Sequence, residues 1–240
     1  RLGGLLFYYI EDTSETGADK SMNAIPKRYQ SLSGRFTYGF KDTYFWDLNF
    51  GLNGSENFEP GKQYGFFPAG AFAWVPSSYE FIRENVSWLN FLKLRVSYGV
   101  VGNDRISSRR FPYLTLIKEE NASNPWGGIG SLTEEQVGAN NLMWEKAKKF
   151  DVGMDLHLFK DKFTLTLDFK DTRDGIFQER KQIPDYVGLI QMPYGNIGRM
   201  KSWGADGNME FYQQIGKDAH VILRSNFTLS KNKILNWEDT

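Results

Sequence analysis

His157 and His220 are the only imidazoles in this chain, and there is no cysteine at all. Thiolate nucleophiles, disulfides and Cys-ligated zinc are therefore excluded. Each histidine stands in an alternating stretch with no second His near it, so neither has the partner that metal or general-base chemistry needs. His157 alternates with Asp155 and shares its face of a strand. Glu119-Glu120 and Glu134-Glu135 are acids adjacent in sequence, whereas glycoside hydrolysis needs two carboxyls facing one another across a bond. The plain reading of both pairs is a solvated loop. Gly127-Gly128-Ile129-Gly130 does not lead from a strand into a helix and so lacks the setting of a phosphate loop. No Gly-x-Ser-x-Gly elbow occurs. The chain is expected not to be an enzyme, with no catalytic residue, no metal site and no cofactor.

What remains is binding. Phe111, Tyr113, Trp126, Tyr186 and Tyr194 fall in long irregular stretches, where rings can stack on sugars or pack on a partner protein. Arg105, Arg109 and Arg110 lie in the same region and suit bidentate contacts to acidic groups, with solvated charge as the simpler alternative. Lys plus Arg number 29 and Asp plus Glu number 29, so the basic excess of a nucleic-acid binder is missing.

The elements that must carry these loops are strands. In Trp46-Asp47-Leu48-Asn49-Phe50-Gly51-Leu52-Asn53 every even position is large and apolar and every odd one is small or polar. Asp151–Leu158 and Phe163–Lys170 alternate in the same way. Neighbouring side chains on a strand point to opposite faces, so each segment has one apolar and one polar face. Soluble strands run to about 5–6 residues; here the pattern persists for roughly ten, the length a tilted strand needs to cross a bilayer. Aromatics make up 16% of residues and mean hydropathy is −0.49; a barrel with a polar lumen and polar loops accommodates both. The longest nearly apolar stretch, 64–76, is too short for a membrane helix and contains Gly65, Pro68 and Gly70.

About nine strands are expected, over 2–10, 28–40, 44–58, 64–76, 91–103, 144–158, 163–176, 198–212 and 220–231. A connector with helical character spans 77–90. Tight turns fall at 41–43, 159–162 and 213–219, and long connections at 11–31, 104–142 and 177–196. That asymmetry is the one seen in outer-membrane barrels, and structureless loops of this length are uncommon in compact domains. Tyr44, Phe45 and Trp46, with Phe36, Tyr38 and Phe40, approach one tight turn as an interfacial aromatic belt would. Asp47, Asn49, Asn53, Arg95, Asp155 and Asp168 would then face inward. The same rings could also fill the core of a β-sandwich, which keeps open a soluble carbohydrate-binding module as the alternative.

Five segments, in order, resemble the SusC/RagA family of TonB-dependent outer-membrane transporters of Bacteroidetes. Tyr64-Gly65-Phe66-Phe67-Pro68-Ala69 with Ala73-Trp74 and Glu80-Phe81 is similar to the family's Gly-x-Phe-Pro strand, its Trp and the connector that follows. Leu92–Asn103 (LKLRVSYGVVGN) is close to its Leu-Lys-Leu-Arg-x-Ser-Tyr-Gly-x-x-Gly-Asn. Asn140–Lys146 with Asp151–Asp155 resembles Asn-Pro-x-Leu-x-Trp-Glu and a Gly-x-Asp strand. Gly195-Asn196-Ile197-Gly198 with Ser202-Trp203-Gly204 is like its Asn-x-Gly signature, and Asn226–Ile234 like its Asn-Lys-Ile strand ending. Asn141 stands where Pro is usual and Trp203 where Asn is usual.

The resemblance implies an all-β fold: an antiparallel transmembrane β-barrel segment, about nine strands of a larger, plugged 22-stranded barrel. Residues 1–240 would form part of one barrel domain, with the plug domain and the terminal strand absent from this chain. It further implies import of glycan or peptide fragments across the outer membrane of a Gram-negative bacterium. The expected partners are a SusD-like surface lipoprotein as a lid, TonB through the missing N-terminal part, and outer-membrane lipid and lipopolysaccharide. The inward residues would line the lumen or meet the plug.

Overall fold

The computed structural model describes residues 1–14, 25–105, 111–120, 131–179, 183, 192–217 and 219–237. Its strands are β1 (Leu2–Thr13), β2 (Lys27–Phe40), β3 (Tyr44–Ser55), β4 (Tyr64–Trp74), β5 (Leu89–Asn103), β6 (Leu116–Glu120), β7 (Ser131–Gln136), β8 (Glu145–Leu158), β9 (Phe163–Glu179), β10 (Tyr194–Ile215) and β11 (Ala219–Asn236). Nine of them form one sheet in the order β1-β2-β3-β4-β5-β8-β9-β10-β11, each antiparallel to its neighbours, and β6 and β7 pair separately. All strand neighbours in the large sheet are consecutive along the chain once the β6–β7 hairpin is set aside, which is the meander that alternating strands and turns dictate.

Several expected connections need correction: strand pairing runs into the stretches 11–31 and 177–196, reaching Thr13 with Lys27 and Glu179 with Tyr194. The connection 104–142 is not structureless, because β6 and β7 form within it. The last hairpin is also tighter than a 213–219 turn: Ile215 pairs directly with Ala219, and Gly216 takes a φ of 71°. Both β10 and β11 run on through polar residues whose alternation is weak but whose backbone pairing is continuous.

The tight turns gather at one end of the sheet. At the first, Lys41 and Asp42 take φ values of 51° and 50°, and the Thr43 N–H donates to the Phe40 carbonyl at 3.0 Å. This left-handed pair matches the twist of the two strands, and glycine adopts it without a Cβ penalty. Asp42→Gly is expected to stabilise the hairpin by about 0.5–1 kcal/mol, read as a higher urea midpoint of the folded barrel. The β4–β5 connector is helical as expected, with a 3₁₀ turn over Pro76–Ser78 and α1 over Glu80–Asn85. It is tied to the sheet where the Ser77 hydroxyl accepts from the Leu92 N–H at 3.0 Å and the Val75 N–H donates to the Thr43 carbonyl at 2.8 Å.

Strand register sorts the side chains into two faces. On one face, rows cross β1 to β4: Leu2–Tyr38–Trp46–Phe72, Gly4–Phe36–Leu48–Gly70, Leu6–Gly34–Phe50–Pro68 and Tyr8–Leu32–Leu52–Phe66. These apolar side chains are open to the surroundings; Leu48 is 51% exposed and Phe36 45%. Rings concentrate at the turn end, where Trp46 and Phe72 lie 4.6 Å apart and the Tyr44 and Tyr79 hydroxyls are hydrogen-bonded. From Tyr44 to Gly54 the strand climbs roughly 25 Å at a usual rise and tilt, the height of a barrel's apolar band. A sandwich would cover this face with a second sheet about 10 Å away. Among the described residues the only other sheet is the small β6–β7 hairpin. The architecture is an open arc of β-barrel wall, with the apolar face outward.

Candidate functional site

The opposite, inner face carries the polar set. Asp47 and Asn49 on β3 are joined by a hydrogen bond from Asn49 Nδ2 to Asp47 Oδ1 at 2.7 Å. Arg35 on β2 reaches diagonally to Asp47, with Nε 3.0 Å from Oδ2 and a further bond from Nη2. Higher on the same strands the Ser31 hydroxyl donates to Asn53 Oδ1 at 2.7 Å. A second cluster spans β5, β8 and β9. Arg95 places Nε 3.2 Å from Asp155 Oδ2 and Nη2 3.1 Å from Asp168 Oδ1. Thr166 donates to Asp155 Oδ1 at 3.2 Å. Between the two clusters lies a concavity of about 320 Å³, bordered by Asp47, Ala71, Lys93, Arg95 and Ser97. All six residues expected to face inward therefore share one face, and each is hydrogen-bonded or ion-paired there.

The arginine bridge depends on a residue with no side chain. Gly153 is the register partner of both Arg95 and Asp168. A Cβ at Gly153 would lie 2.5 Å from Asp168 Oδ1 and 2.8 Å from Arg95 Nη2. The ion pair thus passes over the glycine from one strand to the next but one. Gly153→Val is expected to push the bridge apart and to lower stability by about 1–3 kcal/mol, measured by urea unfolding; Gly153→Ala should cost less.

At the loop end of this inner face a small core forms. Phe67, in the same alternate set as Ala69 and Ala71, packs with Phe58, Ala139, Leu142 and Trp144. The Trp144 ring sits 5.2 Å from Phe58 and 5.1 Å from Phe67, and its Nε1 donates to the Gln63 carbonyl at 3.1 Å. Gly102 makes room: a Cβ there would fall 2.0 Å from a Phe67 ring carbon. Asn196 closes the cluster from β10, accepting from the Met143 N–H at 2.9 Å and donating to the Met143 carbonyl at 2.6 Å. Asn141 has a φ of 66°, a conformation open to Asn and closed to Pro. The segment before β8 is in this way folded down onto the wall.

The loop aromatics divide. Tyr194 packs against the Trp144 cluster. Phe111 is buried, with a φ of 44°, and meets Tyr113 edge to face at 6.3 Å. Buried Gln136 fixes this turn by donating to the Phe111 and Leu114 carbonyls, each at 3.0 Å. Burial, and then the nearby Glu56 carboxylate, raise the pKa of the Tyr113 phenol above its ordinary value. Phe111 therefore serves the loop's own packing, and half-buried Tyr113 is the ring beside it that remains accessible. Trp126, Tyr186, Arg109, Arg110 and Gly127–Gly130 lie outside the described residues. Arg105 is exposed, its N–H bonded to Asn103 Oδ1 at 3.2 Å.

Of the groups considered for catalysis, His157 lies on β8 and His220 on β11. His157 Nδ1 is 3.0 Å from Asp161 Oδ1 at the β8–β9 turn, and its ring is 5.2 Å from Phe91. Glu134 faces Ile117 across the small hairpin. Among the described residues no three His, Cys, Asp or Glu side chains are grouped to hold a metal ion. Trp144, Phe67 and Gly153 were not singled out as site residues from sequence, although all three fall within the quoted motifs.

This arrangement, an apolar outer face, a bonded polar inner face and long connections at one end, defines a segment of outer-membrane-type β-barrel. The chain is 23% identical to the RagAB peptide transporter, matching it with a TM-score of 0.76 over 98% of this chain and 28% of that one. The same importer in its closed-closed state gives a TM-score of 0.77 at 22% identity, again over 98% of this chain and 28% of that one. In sequence it is 29% identical over 213 residues to TonB-dependent receptor P3 of Formosa agariphila, covering 87% of this chain and 20% of that protein. It is 27% identical over 216 residues to TonB-dependent receptor SusC of Bacteroides thetaiotaomicron, covering 85% of this chain and 20% of that protein. No family model matches. The chain spans about a fifth of the length of these curated relatives. In fold the chain is thus similar to part of the RagAB barrel, and in sequence to part of the TonB-dependent receptors P3 and SusC.

Proposed function

We propose that the chain is part of the barrel wall of a TonB-dependent importer in the outer membrane of a Gram-negative bacterium, and that the whole protein takes up glycan or peptide fragments beneath a SusD-like lipoprotein lid. One observation carries this reading: a single uninterrupted sheet with an exposed apolar face, a bonded polar face, and its long connections at one end. An exposed apolar band is unfavourable in water and favourable in lipid. The wall residues Asp47, Asn49, Asn53, Arg95, Asp155 and Asp168 line the lumen or meet a plug. Tyr113 and Tyr194, with Trp126 and Tyr186, contact ligand or lid at the loop end. The name of the RagAB structures supports a peptide substrate; the family resemblance supports glycans as well. TonB contact belongs to parts of the protein outside this chain.

The test is purification of the full-length receptor from its own membrane, with uptake measured in cells lacking it. Extraction only with detergent, co-purification of a surface lipoprotein, and loss of uptake of labelled peptides or oligosaccharides are expected. A protein soluble without detergent, or unchanged uptake of both substrate classes, would overturn the reading.

A further inference from the structure

The outward face does not end in the same way at its two edges. At the turn end it closes on rings; at the loop end it closes on a row of register partners, Ile10, Gln30, Gly54 and Tyr64, one from each of β1 to β4. The Gln30 amide spans this row, donating to the Tyr64 hydroxyl and accepting from the Tyr8 hydroxyl at 3.5 Å. One step further out Arg28 Nε bonds Asp12 Oδ2 at 3.1 Å, and the Arg28 N–H donates to Glu56 Oε2 at 3.1 Å. Gly54 leaves the floor open: a Cβ there would stand 2.8 Å from the Tyr64 ring and 3.2 Å from Gln30 Cγ. The result is an outward hollow of about 300 Å³. Directly below it run Leu32, Leu52 and Phe66 of the apolar band.

We propose that this hollow binds the saccharide headgroup of an outer-leaflet glycolipid, with the lipid's acyl chains lying on the apolar rows beneath. The proposal rests on the membrane reading above. Its level follows from the rows: the hollow sits where apolar side chains give way to charged ones, the depth of headgroups beside a barrel. Its chemistry favours hydroxyl groups. Carboxylates of Asp12 and Glu56 accept from sugar O–H groups, while the Gln30 amide and the Tyr64 phenol both donate and accept. The same two carboxylates disfavour a bare phosphate, whose charge Arg28, already paired with Asp12, does little to offset. A free sugar would gain nothing from the apolar rows, whereas a glycolipid buries its chains there.

The test is native mass spectrometry of the full-length receptor in mild detergent, with an added neutral glycolipid, monoglucosyl diacylglycerol, or phosphatidylethanolamine at equal concentration. Folding is checked by the heat-dependent shift in gel mobility. The wild type should retain the neutral glycolipid in preference to phosphatidylethanolamine. Gln30→Leu and Gly54→Val should each reduce that retention by about tenfold, the effect of losing roughly one well-made polar contact. Gln30→Leu leaves backbone pairing intact and keeps the test valid if Gly54→Val does not fold. Equal retention of the two lipids, or equal retention of the glycolipid by wild type and folded Gln30→Leu, would overturn the site while leaving the barrel reading standing. Solubility without detergent would instead overturn the barrel reading.

Discussion

Trp144→Ala in the full-length receptor is expected to lower the stability of the folded barrel by about 3–5 kcal/mol, the usual cost of emptying a packed aromatic site. Trp144 is 6% exposed and is held by two rings and by the Gln63 carbonyl. Removing it takes away the shared wall of the Phe58, Phe67 and Leu142 cluster, so the segment 136–144 loses its anchor on the inner face. Two readouts should move together: the urea midpoint should fall, and protease should cut within 136–144 much sooner than in the wild type. Trp144→Phe keeps most of the ring packing and loses the N–H donor, so about 1 kcal/mol of the effect should remain. A midpoint unchanged by Trp144→Ala would show that the loop end is held by something other than this cluster.

Leu48→Arg is expected to cost about 2–4 kcal/mol of membrane stability, because it puts a charge near the middle of the lipid-facing band. Leu48 sits in the central row, flanked by Phe36 and Gly70, with further apolar rows above and below it. Asn49→Arg, one residue away, places the same charge on the inner face beside Asp47, and should cost well under half as much. Leu165 and Leu167 should behave like Leu48, and Thr164 and Thr166 like Asn49. Unfolding from lipid vesicles measures the difference. Equal penalties at neighbouring positions would mean that the two faces do not see different solvents.

The fold was legible because alternation is a local signal. Trp46–Asn53 carries its facing in its own residue types, and turns such as Phe159–Lys162 announce themselves by composition. What stayed hidden depends on register, and a period of two fixes the face of a residue without fixing its cross-strand partner. Asp47, Arg95, Asp155 and Asp168 could be placed on one face from sequence, but the Arg95 bridge over Gly153 exists only once β5, β8 and β9 are aligned. Gln30, Gly54 and Tyr64 were invisible as a group for the same reason. The β6–β7 hairpin was missed because its strands are short and mostly polar, too short to show an alternating apolar face. The departure at Trp203 gains a physical reading from the structure. Its ring is paired with Lys231, whose ammonium lies 5.5 Å from the ring centroid, an arrangement suited to the membrane interface.

The most direct test of the central claim is a cysteine scan along β3, from Tyr44 to Ser55, in the full-length receptor in intact cells. This segment has no native cysteine to confuse the readout. Each position is labelled first with a water-soluble maleimide and then with a lipid-soluble one. The barrel-wall account predicts alternation: Trp46, Leu48, Phe50 and Leu52 positions react with the lipid-soluble reagent, and Asp47, Asn49, Gly51 and Asn53 do not. Uniform reaction with the water-soluble reagent along the whole strand would contradict it.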